Sequence, residues 1–123
     1  MSQKTSPTIS VRQLLQLLEE SGFAVALAGE KRLLEEAAKP SAMVRARTAV
    51  AAPVKIKGLI LPDEYRILVN RELGLEERVK TVLHELIHLQ APDLSEAATE
   101  RQALTLYKHL TPSELGQLEF LVS

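Results

Sequence analysis

From Leu75 to Leu89 the chain places apolar side chains on nearly every side of a helix, through Val79, Val82, Leu83, Leu86, Ile87 and Leu89. A helix of this kind has no face to turn to water, so it must run through the middle of a domain with other elements packed around it. Ala91-Pro92 ends it, because proline cannot continue the hydrogen-bond ladder. The rest of the chain must supply the cover.

On the N-terminal side, Ser10 and Gln13 have capping-box spacing, and Val11, Leu14, Leu15 and Leu18 repeat at helical intervals up to Glu20. Ser21-Gly22 stops that helix, and the apolar run Phe23 to Ala28, closed by Gly29, predicts a short strand. Glu30 to Lys39 is again helical in pattern, with Leu33, Leu34, Ala37 and Ala38 on one side and Pro40 as its stop. Residues 41 to 53 carry no decisive pattern and are compatible with a strand or a loop. Val54 to Leu61 and Tyr65 to Asn70 are strand-like on either side of Pro62-Asp63-Glu64, which predicts a hairpin.

Beyond the central helix, Asp93 and Glu96 are spaced to cap a helix running to about Leu110. Thr111, Pro112 and Glu114 then supply an N-cap, a first-turn proline and an N3 carboxylate for a last helix ending near Val122. The expected fold class is α+β, a small antiparallel sheet packed on helices, in a single domain over residues 9 to 123. Residues 1 to 8 are polar and read as a disordered tail.

With 123 residues, 46% of them apolar, the chain can bury one real core. No cysteine is present, so neither a disulfide framework nor a thiolate metal site is available. Fifteen basic and sixteen acidic side chains are interspersed, which argues against a surface that tracks a phosphate backbone and hence against direct nucleic-acid binding. No segment approaches the ~20 apolar residues that cross a bilayer, and the N-terminus has no signal-peptide pattern. A cytoplasmic setting is the default expectation.

From Val82 to Leu89 three polar residues interrupt the apolar helix, and they are spaced for chemistry. In His84-Glu85-Leu86-Ile87-His88 the two imidazoles lie at i and i+4, about one turn apart, and project toward a common point where one metal ion can bridge them. Glu85 sits about 100° around the helix from His84, within reach of a water on that metal without being forced to ligate it. The plainer alternative is two helix histidines with ordinary hydrogen bonds. Their joint spacing, on a helix where unpaired polar groups are costly, favours the metal.

A catalytic zinc takes three protein ligands and keeps one position for water, so a third donor must come from elsewhere. Glu96 and Glu100 are the realistic choices, and Glu96 is the favoured one. In a simple antiparallel helix pair turning near Pro92, His88 faces Glu96 and His84 faces Glu100. One glutamate then ligates while the other accepts a hydrogen bond from a ligand histidine. Alone, each glutamate would read as part of a solvated helix face. Tyr107 and His109 are weaker candidates for polarising a carbonyl or stabilising an oxyanion, half-buried surface residues being the plainer interpretation. Tyr65, Ile67 and Val69 alternate along their strand, which reads either as an ordinary sheet strand or as an exposed edge that pairs with an extended peptide.

With these residues in view, the chain resembles a minimal gluzincin of the ImmA/IrrE metallopeptidase type. The resemblance is carried by a strand ending in Asn70, by Thr81-Val82-Leu83-His84-Glu85-Leu86-Ile87-His88-Leu89, similar to that family's TxxHExxHL stretch, and by Glu96, Glu100, Arg101 and Ala103 on the next helix. The chain departs from the pattern at Glu100, where the family prefers Asn or Asp, and at Thr99, where Ala is usual. The likeness implies a zincin-like fold, Glu96 as third ligand, and a protein substrate such as a helix-turn-helix repressor. The expected activity is zinc-dependent peptide-bond hydrolysis with Glu85 as general base, the alternative being a non-catalytic regulatory or interaction module on the same scaffold.

Overall fold

Helices cover both faces of one sheet, and the helix that is apolar on all sides lies against one of them. The structure, a computed structural model, describes residues 9–39, 43–47 and 56–123. The expected tail at residues 1–8 lies outside the described residues, as do the parts of the 41–53 segment other than 43–47. In chain order the elements are α1 (Val11–Ser21), β1 (Ala24–Ala28), α2 (Glu30–Ala37), β2 (Met43–Arg47), β3 (Ile56–Leu61), a 3-10 turn (Pro62–Glu64), β4 (Arg66–Asn70), α3 (Leu75–Gln90), α4 (Glu96–Lys108) and α5 (Pro112–Leu121). The class is α+β.

The strand order is β1-β4-β3-β2. β3 pairs antiparallel with β4 and β2, the former as the expected hairpin with Ile60 opposite Ile67. β1 pairs with β4 in parallel, Val25 opposite Ile67, so the sheet is mixed where an antiparallel one was expected. The alternation of a short run selects which side chains face inward and says nothing about the direction of a neighbouring strand.

This order also removes Tyr65, Ile67 and Val69 from any free edge. β4 lies between β1 and β3, so its ladder groups are already paired on both sides. Ile67 and Val69 are fully buried in the main core, and Leu68 is buried on the opposite face. Tyr65 precedes the strand in a left-handed conformation (φ 53°), packs edge-on against Phe23 at 5.5 Å, and accepts the Ala24 N–H on its carbonyl. An incoming peptide has no place to pair there.

The larger core joins the sheet face carrying Ile60, Ile67 and Val69 to Val79, Val82, Leu83, Leu86 and Ile87 of α3, with Leu14 and Leu18 of α1 and Leu118 of α5 around them. Each such side chain contributes about 1.5–3 kcal/mol when fully buried. The opposite face, through Leu59, Leu61 and Leu68, is closed by Leu33 of α2. α3 touches α1, α4, α5 and three strands, as an apolar helix must.

Local chemistry sets the ends. The Ser10/Gln13 and Thr111/Glu114 capping boxes are both formed, and Gly22 takes the left-handed conformation after α1. The expected cap at Asp93 is displaced: Ala91 to Leu94 forms a turn, and Ser95 caps α4 by accepting the Ala98 N–H. Arg78 holds the C-terminal end against α3, its guanidinium donating to the carbonyls of Leu73 and Val122 at 2.9 and 3.0 Å and to that of Arg71 at 2.6 Å.

Candidate metal centre

α3 and α4 pack as an antiparallel pair, the most extensive helix–helix contact among the described residues, and the turn at Ala91–Leu94 brings the last turns of one beside the first turns of the other. His84, Glu85 and His88 come from the buried face of α3, at 6%, 0% and 1% exposure. Glu96 and Glu100 come from the outer helix, with side chains about half exposed at 48% and 57%. The i, i+4 spacing puts the two histidines on one face and the two glutamates on the facing one.

The convergence is tight. His84 Nε2 lies 3.1 Å from His88 Nε2 and 3.1 Å from Glu96 Oε1, and His88 Nε2 lies 2.7 Å from the same oxygen. His84 Nδ1 points the other way, to Glu100 Oε1 at 3.0 Å. His84, His88 and Glu96 each offer one ligand atom to a common point, all within 4.8 Å of one another.

Hydrogen bookkeeping tests whether a cation fits. A neutral imidazole has one N–H. If His84 donates from Nδ1 to Glu100, its Nε2 presents a lone pair to the Glu96 carboxylate, acceptor against acceptor. If it donates from Nε2, Nδ1 faces Glu100 in the same unfavourable way. His88 Nε2 adds a third polar atom to the same space, so protons alone would require an additional positive charge on a buried imidazole. One divalent cation satisfies all three atoms with a neutral His84 donating to Glu100. Ligand bonds of ~2.0–2.1 Å in tetrahedral array put donor atoms roughly 3.3 Å apart, close to the observed spacings. Two imidazole nitrogens and a carboxylate oxygen are also a catalytic-zinc donor set, while hard cations such as Mg²⁺ favour all-oxygen shells.

The remaining candidates lie away from this point. His109 caps the C-terminal end of α4, with Nδ1 donating to the Thr105 carbonyl at 2.9 Å. Tyr107 lies under the Lys80 ammonium, 5.1 Å from nitrogen to ring centroid. Residue 107 is eleven positions beyond Glu96, roughly 16 Å along the helix. The structure therefore brings neither of them into the histidine–glutamate cluster.

Residues not singled out in the sequence line the neighbourhood. A cavity of about 120 Å³ opens beside His84 and Glu100, bounded also by Lys57, Glu77, Lys80, Thr81 and Leu104. Lys80 has its pKa raised, first by its hydrogen bond to Glu76, against the lowering effect of desolvation, and then by the charges of Glu76 and Glu77. It therefore carries a positive charge near the site. Gly58 of β3 lies against Thr81 and Glu85. An isolated glycine within a strand pattern signals close backbone approach, and that signal was present in Ile56-Lys57-Gly58-Leu59-Ile60-Leu61.

Among the described residues no helix is long and apolar enough to cross a membrane. No protein-family model, curated protein or solved structure matches the chain.

Proposed function

We propose that the chain is a zinc-dependent peptidase of the gluzincin type, in which His84, His88 and Glu96 hold the metal and Glu85 is the general base. The observation that carries this proposal is the meeting of two imidazole nitrogens and one carboxylate oxygen at 2.7–3.1 Å, with a glutamate directly after the first histidine. The resemblance of the 81–89 stretch to the ImmA/IrrE type supports the same assignment.

When bound, zinc supplies Lewis acidity, which makes water acidic enough to react near neutral pH and polarises a peptide carbonyl. The protein's own residues do the rest. His84 is held in one tautomer by donation from Nδ1 to Glu100, which keeps its Nε2 lone pair directed at the ligand cluster. Glu85 takes a proton from the attacking water and delivers it to the nitrogen of the departing amine, so that the C–N bond breaks without expelling an amide anion. Leu83, Leu86 and Ile87, all fully buried, fix the helix that carries these groups. A protein or peptide is the substrate class, a helix-turn-helix repressor being the family's example, and the setting is cytoplasmic.

Replacing Glu85 with Gln is expected to abolish cleavage of an unfolded test protein while leaving bound zinc stoichiometric, as measured by elemental analysis. A variant that loses its metal instead would assign Glu85 a structural role. A non-catalytic scaffold that holds zinc without turnover is favoured by one observation: Glu85 is fully buried and the cavity beside His84 holds only about 120 Å³, against the roughly 300–1,000 Å³ usual for small-molecule sites. Stoichiometric zinc with no cleavage of any offered protein would support that alternative.

A further inference from the structure

We infer that Gly58 is a positioning residue for the Glu85 carboxylate, an inference that rests on the metallopeptidase proposal and adds a residue to it. Glycine inside a strand weakens it, because it contributes no side chain to packing and loses the most backbone freedom. The backbone conformation does not require it here, since among the described glycines only Gly22 has positive φ. Space requires it. A Cβ at position 58 would lie 2.7 Å from Thr81 Cγ2, 3.0 Å from the Leu68 carbonyl oxygen and 3.3 Å from Glu85 Oε2.

Thr81 and Glu85 are four residues apart on α3, so they share one face, and the β3 backbone fits between them. The two contacts differ in what they would do to a larger residue. Thr81 is 4% exposed, and its β-branched side chain is stiff at χ1. A clash there pushes helix and strand apart and costs stability. The Glu85 oxygen is the far end of a longer, unbranched side chain, so there the carboxylate shifts by a few tenths of an ångström and the helix backbone stays. That small movement displaces the group whose position matters for proton transfer. The missing side chain at 58 therefore leaves the Glu85 carboxylate the room it occupies, one residue along α3 from His84.

The two effects are separable by removing the closest stiff contact, that with Thr81 Cγ2. In Gly58→Ala the melting temperature falls. In Gly58→Ala/Thr81→Ser, where Cγ2 is gone and only the Leu68 carbonyl contact at 3.0 Å stays tight against the backbone, the melting temperature recovers most of the loss relative to the Thr81→Ser control, and zinc affinity stays within about threefold of it. Acetohydroxamate binding to the zinc-loaded protein, which needs a carboxylate beside the chelated group, remains weakened about tenfold, approaching the Glu85→Gln value. Recovery of hydroxamate affinity together with the melting temperature would overturn the inference, reducing Gly58 to a packing residue. Wild-type protein that takes up zinc but binds hydroxamate as well after Glu85→Gln would overturn the proposed base. Protein that takes up no zinc would overturn both.

Discussion

The two helices that meet at the candidate metal centre contribute to it on different terms. α3 offers His84, Glu85 and His88 from a surface that is 0–6% exposed, surrounded by Val79, Val82, Leu83, Leu86 and Ile87. α4 has only Thr99 and Ala103 buried, and it offers Glu96 and Glu100 from a face open to solvent. The imidazoles are thus held in place by core packing, while the carboxylates are held largely by their contacts with the imidazoles. The difference predicts that changes on α3 act on stability and changes on α4 on the proposed metal binding.

The largest effect expected from this contrast is on the fold. Leu86→Ala should cost about 2–5 kcal/mol in urea unfolding, because Leu86 is fully buried at the centre of α3. Next comes the metal. Zinc at a hundredfold excess over its Kd should add about 2.7 kcal/mol to the unfolding free energy of the wild type, and calorimetry of His88→Ala should show no such increment. A stabilisation by zinc that survives in His88→Ala would place the metal elsewhere.

Glu100→Gln should weaken zinc binding roughly 10–100-fold, the usual scale for losing a partner that orients a ligand imidazole. Its metal-free unfolding curve should match that of the wild type, since the Glu100 side chain is 57% exposed. A metal-free protein destabilised by this change would break the comparison, by showing that α4 supports the fold through its carboxylates. The smallest effect belongs to Leu104→Ala on the outer helix, within about 0.5 kcal/mol, Leu104 being 37% exposed.

Local patterns were legible where their cause is local. Ser10 with Gln13 and Thr111 with Glu114 announce helix starts because the bonds they form span three residues. Asp93 with Glu96 had the same spacing, yet Ser95 caps α4, because the turn closed by Leu94 N–H to the Ala91 carbonyl occupies the residues before it. The pairing of His88 with Glu96 and of His84 with Glu100 followed from a two-helix hairpin, whose geometry is nearly fixed by helical rise and a short turn. Tyr107 and His109 lie eleven and thirteen positions beyond Glu96, so the rise of α4 by itself carries them away from the point where Glu96 meets the histidines.

The sequence by itself determined that a helix apolar on all sides had to be buried, and that two histidines and a glutamate would travel into the interior with it, because burial and one-turn spacing are properties of a single element. The tertiary structure alone decided that β1 lies parallel to β4, that β4 is interior rather than a free edge, and that Gly58 meets Glu85 across 27 positions of chain. Those outcomes depend on which elements become neighbours. Strand direction and backbone approach arise between segments, where no run of residues carries a record of its partner.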